Sequence, residues 1–390
     1  MHKPAPLGLT FSLLTSVALA ASCGDDPASA PPDLCADATS AAFVRPFAVD
    51  AQAYPFRSCA FETGHGRMHF FDEGPRDAEE TILMVHGNPT WSYSYRHIAS
   101  AMIARGHRVI AVDHLGMGMS DAPDPGEFDY RPRSQSTNLE ALVLAMELKD
   151  VTLVVQDWGG PIGLGVATRH PALFRRLLLL NTWGSLATTL YASDPLFGCT
   201  LMLTLTAESL AKLVDPSEGA EYAKIVDAYL RPAIDPATRK PFADKECAAM
   251  STMAISILGD NAFQAEVGGG LEKLRGKPYA LFSGLQDQLF GALGCDPAAD
   301  SLCPGAAVCE CDPDYDASNN ACGLSPLGDE RVCKLDGAVI EQNLDQWVER
   351  LGSGALVTRV GDPRSEHMVQ ELAPDGVIDA LDRLLATPAD

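Results

Sequence analysis

The chain has 390 residues, of which 46% are hydrophobic and 21% are charged, as in a globular protein with one large core or two smaller ones. Its formal net charge of −23 argues against binding to a nucleic-acid backbone, because that binding depends on clustered Lys and Arg. We attribute the negative charge to solubility.

Residues 1–22 have the layout of a signal peptide. The apolar run from Leu7 to Ala21, about 15 residues, is too short to span a membrane and has the length of a signal-peptide core. Two processing outcomes fit the residues at its end. The stretch Ala18-Leu-Ala20 suits an ordinary signal-peptidase site, whereas Ala20-Ala-Ser-Cys23 resembles a bacterial lipoprotein box with a lipid on its cysteine.

Lipidation of Cys23 would leave ten of the eleven cysteines to pair with one another. We therefore predict an exported protein, anchored to a membrane through a lipid on Cys23 and facing the periplasm or the cell surface. The alternative is a soluble secreted or periplasmic protein. Residues 23–54 are rich in Ala, Pro, Asp and Ser, which is typical of a tether.

From about residue 55, predicted strands and helices alternate at short intervals. Apolar runs indicate strands at 67–73, 81–85, 108–113, 152–156, 176–181, 278–283 and 355–360. Helical periodicity is found at 92–105, around 139–146, at 339–351 and at 369–386. This alternation is typical of an α/β protein with a parallel sheet. We divide its core into residues 55–183, 271–294 and 334–390.

Two segments interrupt this core. Residues 184–270 lack strand signals and place apolar residues in helix-like groups among prolines, which predicts an α-helical cap over the active site. A plain helical insertion without a role in substrate binding is the alternative. Residues 295–333 hold six cysteines and predict a small module stapled by disulfides, as expected for an exported protein. Its spacing lacks the paired Cys-x2-Cys units of zinc sites.

The stretch around Asp157 has the layout of a nucleophile elbow. The apolar run Thr152–Gln156 ends at Asp157, and Gly159 and Gly160 follow almost at once, as in a strand, a sharp turn and a helix. An aspartate at the apex forms an alkyl ester when it attacks a saturated carbon, which suits release of a halide or opening of an epoxide. Alternatively, Asp157 begins a turn and caps the helix.

Two further motifs support the first interpretation. They are His86-Gly-Asn-Pro-Thr-Trp-Ser-Tyr93, after the strand at 81–85, and His367-Met-Val-Gln-Glu371 near the end of the chain. Together with Gln156-Asp-Trp-Gly-Gly160, they resemble the haloalkane dehalogenases of the α/β-hydrolase superfamily, over roughly residues 55–290 and 339–388. The resemblance implies an α/β-hydrolase fold, with a mostly parallel central sheet flanked by helices, an α-helical cap and, specific to this chain, a Cys-rich insertion.

The resemblance also implies roles for individual residues. Asp157 would be the nucleophile, His367 the base that activates water, and Asp287 the acid that orients His367. The side chains of Asn88 and Trp158 would bind the halide, and their backbone N–H groups would form the oxyanion hole. Trp158 could instead serve packing, and Asp287 could be a surface turn residue. No cofactor and no metal is implied. The expected partners are a small halogenated aliphatic substrate, water and halide.

Some residues depart from the family pattern. Glu366 stands where a glycine usually precedes the histidine, and Asn181-Thr-Trp183 offers no acid after its strand, where another branch of the family has Glu. Two other functions remain open. One is an epoxide hydrolase with a proton donor among Tyr191, Tyr222 and Tyr229, and the other is a catalytically silent surface lipoprotein with a binding role.

Overall fold

A computed structural model describes residues 34–35, 49–183, 260–285, 287, 338–365 and 367–389. The expected signal peptide and Cys-rich module lie outside the described residues, as do most of the tether and of the cap. Tyr191, Tyr222, Tyr229 and Glu366 also lie outside them.

The described residues form an eight-stranded sheet. Its strands are β1 (Cys59–Glu62), β2 (Arg67–Glu73), β3 (Thr81–Val85), β4 (Arg108–Val112), β5 (Val151–Asp157), β6 (Phe174–Thr182), β7 (Tyr279–Gly284) and β8 (Leu356–Asp362). Their order in the sheet is β1-β2-β4-β3-β5-β6-β7-β8. The strand β1 pairs antiparallel with β2, and β2 antiparallel with β4, whereas every pair from β4 to β8 is parallel.

The central strands β3, β5 and β7 are buried along their whole lengths. Their near-continuous apolar runs are the signature of parallel strands covered on both faces. The predicted strands are all present, and the expected α/β class with a mostly parallel sheet is confirmed.

Two groups of helices pack with this sheet. The helices are α1 (Arg96–Ala104), α2 (Pro132–Ala145), α3 (Gly159–Arg169), α4 (Asn261–Gly270), α5 (Ala338–Leu351), α6 (Val369–Leu372) and α7 (Pro374–Ala386). The helix α3 packs between α2 and α4, and α1 packs with α6 and α7. None of the helices in the described residues is long and apolar enough to cross a membrane.

The structure differs from the sequence prediction at both ends of the core. The last helix, predicted as one element over 369–386, is divided at Ala373, whose backbone leaves the helical region (φ −139°, ψ 50°). Pro374 follows it, and a proline both lacks an N–H and disfavours helical geometry in the residue before it. The short edge strand β1 was not predicted. A disulfide joins its Cys59 to Cys35, with Cα atoms 4.6 Å apart.

Candidate active site

The candidate residues follow the parallel strands at the points where those strands end. Asn88 comes after β3, Asp157 closes β5, Asp287 comes after β7, and His367 comes after β8. Because the carboxyl ends of parallel strands meet at one edge of a sheet, four segments far apart in sequence converge there.

Asp157 occupies a strained turn between β5 and α3. Its φ of 51° lies in the left-handed region, which non-glycine residues rarely adopt and which costs of order 1–3 kcal/mol. The turn also brings two backbones together, since a Cβ on Gly159 would lie 2.1 Å from the carbonyl oxygen of Val85. Only glycine fits there, so the local sequence explains how the Asp157 side chain is raised at the end of the sheet.

The Asn88 segment lies directly against the Asp157 side chain. The backbone N–H of Asn88 donates to Asp157 Oδ1 at 2.8 Å. A Cβ on Gly87 would lie 2.3 Å from the Cβ of Asp157, so the glycine before Asn88 permits this approach. From the other side, the Thr182 hydroxyl donates to the backbone carbonyl of Asp157 at 2.6 Å. The nucleophile candidate is thus held by both adjacent strands.

Two buried histidines support the Asn88 segment from behind. The ring of His86 lies 4.2 Å from that of His114, measured between centroids. Its Nε2 accepts from the backbone N–H of His114 at 3.0 Å, and its Nδ1 lies 2.7 Å from the carbonyl oxygen of Gly87. Burial lowers the pKa of His86, so the ring is neutral with its proton on Nδ1. It therefore anchors the turn rather than serving as a charge.

His367 bridges the other two candidates. Its Nε2 lies 3.2 Å from Asp157 Oδ2, and its Nδ1 lies 2.8 Å from Asp287 Oδ2. Asp287 is fully buried, and Asp157 is 2% exposed. The structure therefore brings together the three residues to which the resemblance gives catalytic roles. The loop carrying Asp287 keeps this position although the Cys-rich module follows it in sequence.

The electrostatics of His367 are set by those carboxylates. Burial alone would lower its pKa, but Asp287 and Asp157 raise the pKa to about 10. At neutral pH the resting site thus holds an imidazolium ion between two carboxylates. Loss of either negative charge would let the pKa fall.

Asn181 is a site residue that the sequence analysis noted only for not being an acid. Its side-chain amide donates to Asp287 Oδ2 at 2.5 Å, and its side-chain oxygen accepts from the backbone N–H of Gly284 at 3.0 Å. It thus holds the carboxylate that orients His367. The signal was present, since Asn181 is a polar residue at the end of the buried apolar strand β6.

Gln156 is a second residue that the sequence analysis did not assign. It is 1% exposed, and its side-chain nitrogen lies 3.0 Å from His367 Nε2 and 3.3 Å from the His367 carbonyl oxygen. A buried polar residue in an apolar strand, directly before the nucleophile candidate, was the available signal.

Trp158 and Asn88 are both buried next to Asp157. Trp158 precedes the first residue of α3, and its ring packs edge-to-face against Trp183 with centroids 4.9 Å apart. The packing role considered for Trp158 is therefore real, and it leaves the predicted halide role open.

Comparison with known proteins identifies the fold family. The model of the alpha/beta hydrolase fold family matches residues 80–315, more than half of the chain. The haloalkane dehalogenase DpaA from Paraglaciecola agarilytica superimposes with a TM-score of 0.58 at 22% identity, over 86% of this chain and 97% of that one. A mutant form of the haloalkane dehalogenase DatA from Agrobacterium tumefaciens gives a TM-score of 0.54 at 18% identity, over 87% of this chain and 100% of that one. At these identities the likeness shows the fold alone.

Curated relatives match shorter stretches more closely. A cis-3-alkyl-4-alkyloxetan-2-one decarboxylase from Shewanella oneidensis is 42% identical over 129 residues, which are 33% of this chain and 39% of that protein. A haloalkane dehalogenase from Psychrobacter cryohalolentis is 41% identical over 116 residues, 30% of this chain and 38% of that protein. The chain therefore spans less than half the length of these relatives. The predicted resemblance to haloalkane dehalogenases is confirmed, and, with the sheet and the elbow as described, the chain belongs to the alpha/beta hydrolase fold family.

Proposed function

We propose that the protein hydrolyses haloalkanes to an alcohol and a halide through an alkyl ester on Asp157. One observation carries the proposal: Asp157 stands on the elbow with His367 Nε2 at 3.2 Å, and Asp287 holds the other ring nitrogen at 2.8 Å. This is the arrangement of a nucleophile, a base and an orienting acid, with a carboxylate in the place of the nucleophile.

In the first step, a carboxylate oxygen of Asp157 attacks the saturated carbon that bears the halogen. The new C–O bond forms as the carbon–halogen bond breaks, and the halide leaves with the bonding electron pair. We assign halide stabilisation to the side-chain N–H groups of Asn88 and Trp158, because a leaving anion needs donors aimed at it in a dry site. A halide takes no proton, so this step needs no acid.

In the second step, His367 takes a proton from water and the resulting hydroxide attacks the ester carbonyl carbon. Esterification has by then removed the charge of Asp157, so one of the two carboxylates that raise the pKa of His367 is gone and the ring can act as a base. The backbone N–H of Asn88, now 2.8 Å from Oδ1, is placed to donate to the oxyanion. Collapse expels the alcohol, which takes a proton from His367, and restores the Asp157 carboxylate. Each cycle releases one proton to solvent.

Removal of the base tests this route. With a brominated alkane, His367→Phe should release about one bromide per active site and then stall, with the alkyl group found as added mass on the peptide that contains Asp157. Asp157→Asn should release none, because a neutral amide is a poor nucleophile. The control is His170→Phe, since His170 contacts Glu140 outside the site. Steady turnover by His367→Phe, or bromide release without an adduct, would favour direct attack by water. Diol formation from styrene oxide without halide release from any haloalkane would favour an epoxide hydrolase instead.

A second candidate reaction is decarboxylation of an oxetan-2-one. The observation that favours it is the 42% identity to two cis-3-alkyl-4-alkyloxetan-2-one decarboxylases. Asp157 would attack the saturated ring carbon bonded to the ring oxygen, and the C–O bond would break to leave a carboxylate. Loss of CO2 would then form the C=C bond and expel Asp157. No water is consumed, so His367→Phe should still release alkene and CO2 from a cis-3,4-dialkyloxetan-2-one, whereas it should stall on a haloalkane.

We also propose that the protein is exported and held at a membrane by a lipid on Cys23. The disulfide between Cys35 and Cys59 supports export, because such bonds persist mainly in oxidising compartments. Cys23→Ala should move the protein from the membrane fraction to the soluble fraction. A wild-type protein that carries no lipid by mass spectrometry would instead indicate ordinary signal-peptidase cleavage and a soluble form.

A further inference from the structure

Gln156 contacts the nitrogen of His367 that must act as the base. Its side-chain nitrogen lies 3.0 Å from His367 Nε2, while Asp157 Oδ2 lies 3.2 Å from the same atom. Adjacent residues of a strand normally point to opposite faces. The left-handed backbone of Asp157 and the shift in register between Gln156 and Asp157 break that alternation, so both side chains reach His367.

A second contact decides which way the Gln156 amide faces. The same nitrogen donates to the backbone carbonyl oxygen of His367 at 3.3 Å. Rotating the amide by half a turn would place its oxygen against that carbonyl oxygen, two acceptors in contact. The amide therefore directs N–H groups at His367, and its contact with Nε2 is favourable only while Nε2 has a free lone pair.

We propose that Gln156 is a positioning residue for the hydrolytic step: its carboxamide stabilises His367 as the neutral ring, unprotonated at Nε2, once Asp157 is esterified. This role rests on the proposed Asp157 ester. Among the described residues, the titratable groups in contact with the ring are Asp157, at the end of β5, and Asp287, after β7. Both favour the protonated ring, and Gln156 opposes them.

The balance changes during the cycle. In the resting site two carboxylates outweigh one amide donor, and the pKa of His367 is about 10. Ester formation converts Asp157 into a neutral group, which leaves Asp287 at Nδ1 and Gln156 at Nε2. Asp287 then fixes the proton on Nδ1, and Gln156 favours an Nε2 without one, which is the form that accepts a proton from water.

The test uses the full-length protein and separates the two chemical steps. Gln156→Met keeps the side-chain volume and removes the donor, and Gln156→Glu places a third carboxylate at the ring. Gln135→Met is the matched control, because Gln135 is also buried and bonds the backbone of Leu115 through both amide atoms, at 2.8 and 3.2 Å, away from His367. The halide burst reports ester formation, and decay of the Asp157 adduct, followed by mass spectrometry across pH, reports hydrolysis.

Both Gln156 variants should retain the burst and accumulate the adduct at neutral pH. Raising the pKa of the base moves the acidic limb of the hydrolysis profile to higher pH, by about one unit for Gln156→Met and more for Gln156→Glu, or about tenfold in rate per unit. At high pH the rate should return to the wild-type value, which a merely distorted site would not do. Gln135→Met should keep the wild-type profile.

Two results would overturn the role of Gln156. If His367→Phe forms no adduct, the ester itself fails and the role falls with it. If that adduct forms but Gln156→Glu hydrolyses its own adduct with the wild-type pH profile, the ester stands and the role of Gln156 is wrong.

Discussion

The Arg96 guanidinium and the Glu371 carboxylate form a buried, two-pronged ion pair that joins the two motifs flanking the site. Nη2 of Arg96 donates to Oε2 of Glu371 at 3.1 Å, and Nη1 donates to Oε1. Arg96 begins α1, shortly after the Asn88 segment, and Glu371 lies in α6, four residues after His367. The Arg96 side chain also covers the ring of Tyr93, with Cζ 4.1 Å from its centroid. The pair therefore holds the oxyanion segment and the base at a fixed spacing.

Removing one partner of this pair should destabilise the protein strongly. Arg96→Met leaves the Glu371 carboxylate buried and unpaired, for which we expect a loss of about 3–5 kcal/mol in the free energy of unfolding, measured with urea. The double variant Arg96→Met/Glu371→Gln should regain most of this loss, because it removes the uncompensated charge. Equal losses in the single and double variants would contradict a paired role.

The same pair predicts a pH dependence of stability. Burial raises the pKa of Glu371 to about 7, against an opposing effect of Arg96, whereas the unfolded value is 4.5. The folded state thus binds the proton more tightly, so this stabilising contribution is complete below about pH 4.5 and is lost as the pH rises through 7. Glu371→Gln should flatten the stability profile in that window, by at most about 3 kcal/mol. The same change at exposed Glu266 should leave the slope unaltered.

Halide binding should be visible in the tryptophan emission. Bromide bound beside Asp157 would accept from the Trp158 indole N–H and change its fluorescence, and the chain has only four Trp. We expect Trp158→Phe to abolish the response to bromide. Trp347→Phe should keep it, because the Trp347 indole donates to the Thr182 carbonyl at 3.3 Å. An intact response in Trp158→Phe would show that its assignment is wrong.

Asp287→Asn should separate the two steps of the proposed reaction. The amide can donate to His367 Nδ1 and so favour the wrong tautomer, with the proton on Nε2, where no proton can then be accepted. The halide burst should remain, while hydrolysis of the ester slows by roughly 10³–10⁴-fold. Stopped-flow halide release combined with adduct mass measures both. Slowing of the burst by the same factor would mean that Asp287 serves nucleophilic attack as well.

The Cys35–Cys59 disulfide should stabilise the edge of the sheet. It closes a loop over a sequence separation of 24 residues, for which the entropy of the unfolded chain predicts about 3 kcal/mol. Cys35→Ala/Cys59→Ala should lower the free energy of unfolding by about that amount and leave the halide burst unchanged, since neither residue lies near Asp157 in the sheet. Loss of the burst in a folded double variant would indicate that the edge strand supports the site.

The α/β class and the elbow could be predicted from the sequence because both arise from local patterns. Continuous apolar runs identify buried parallel strands, and Asp157 followed by Gly159 and Gly160 allows the tight turn that raises the side chain. The break at Pro374 was equally local and was missed, because helical periodicity continues on both sides of it.

Only the tertiary structure decided which side chains meet at the site. Gln156 and His367 are 211 residues apart in sequence, Asn181 and Asp287 are 106 apart, and Arg96 and Glu371 are 275 apart. Each contact depends on the order and register of strands that bring separate segments to one edge of the sheet. Sequence periodicity marks the end of a strand, but the neighbour of that strand is chosen by packing over the whole domain, and so are the partners of the side chains that follow it.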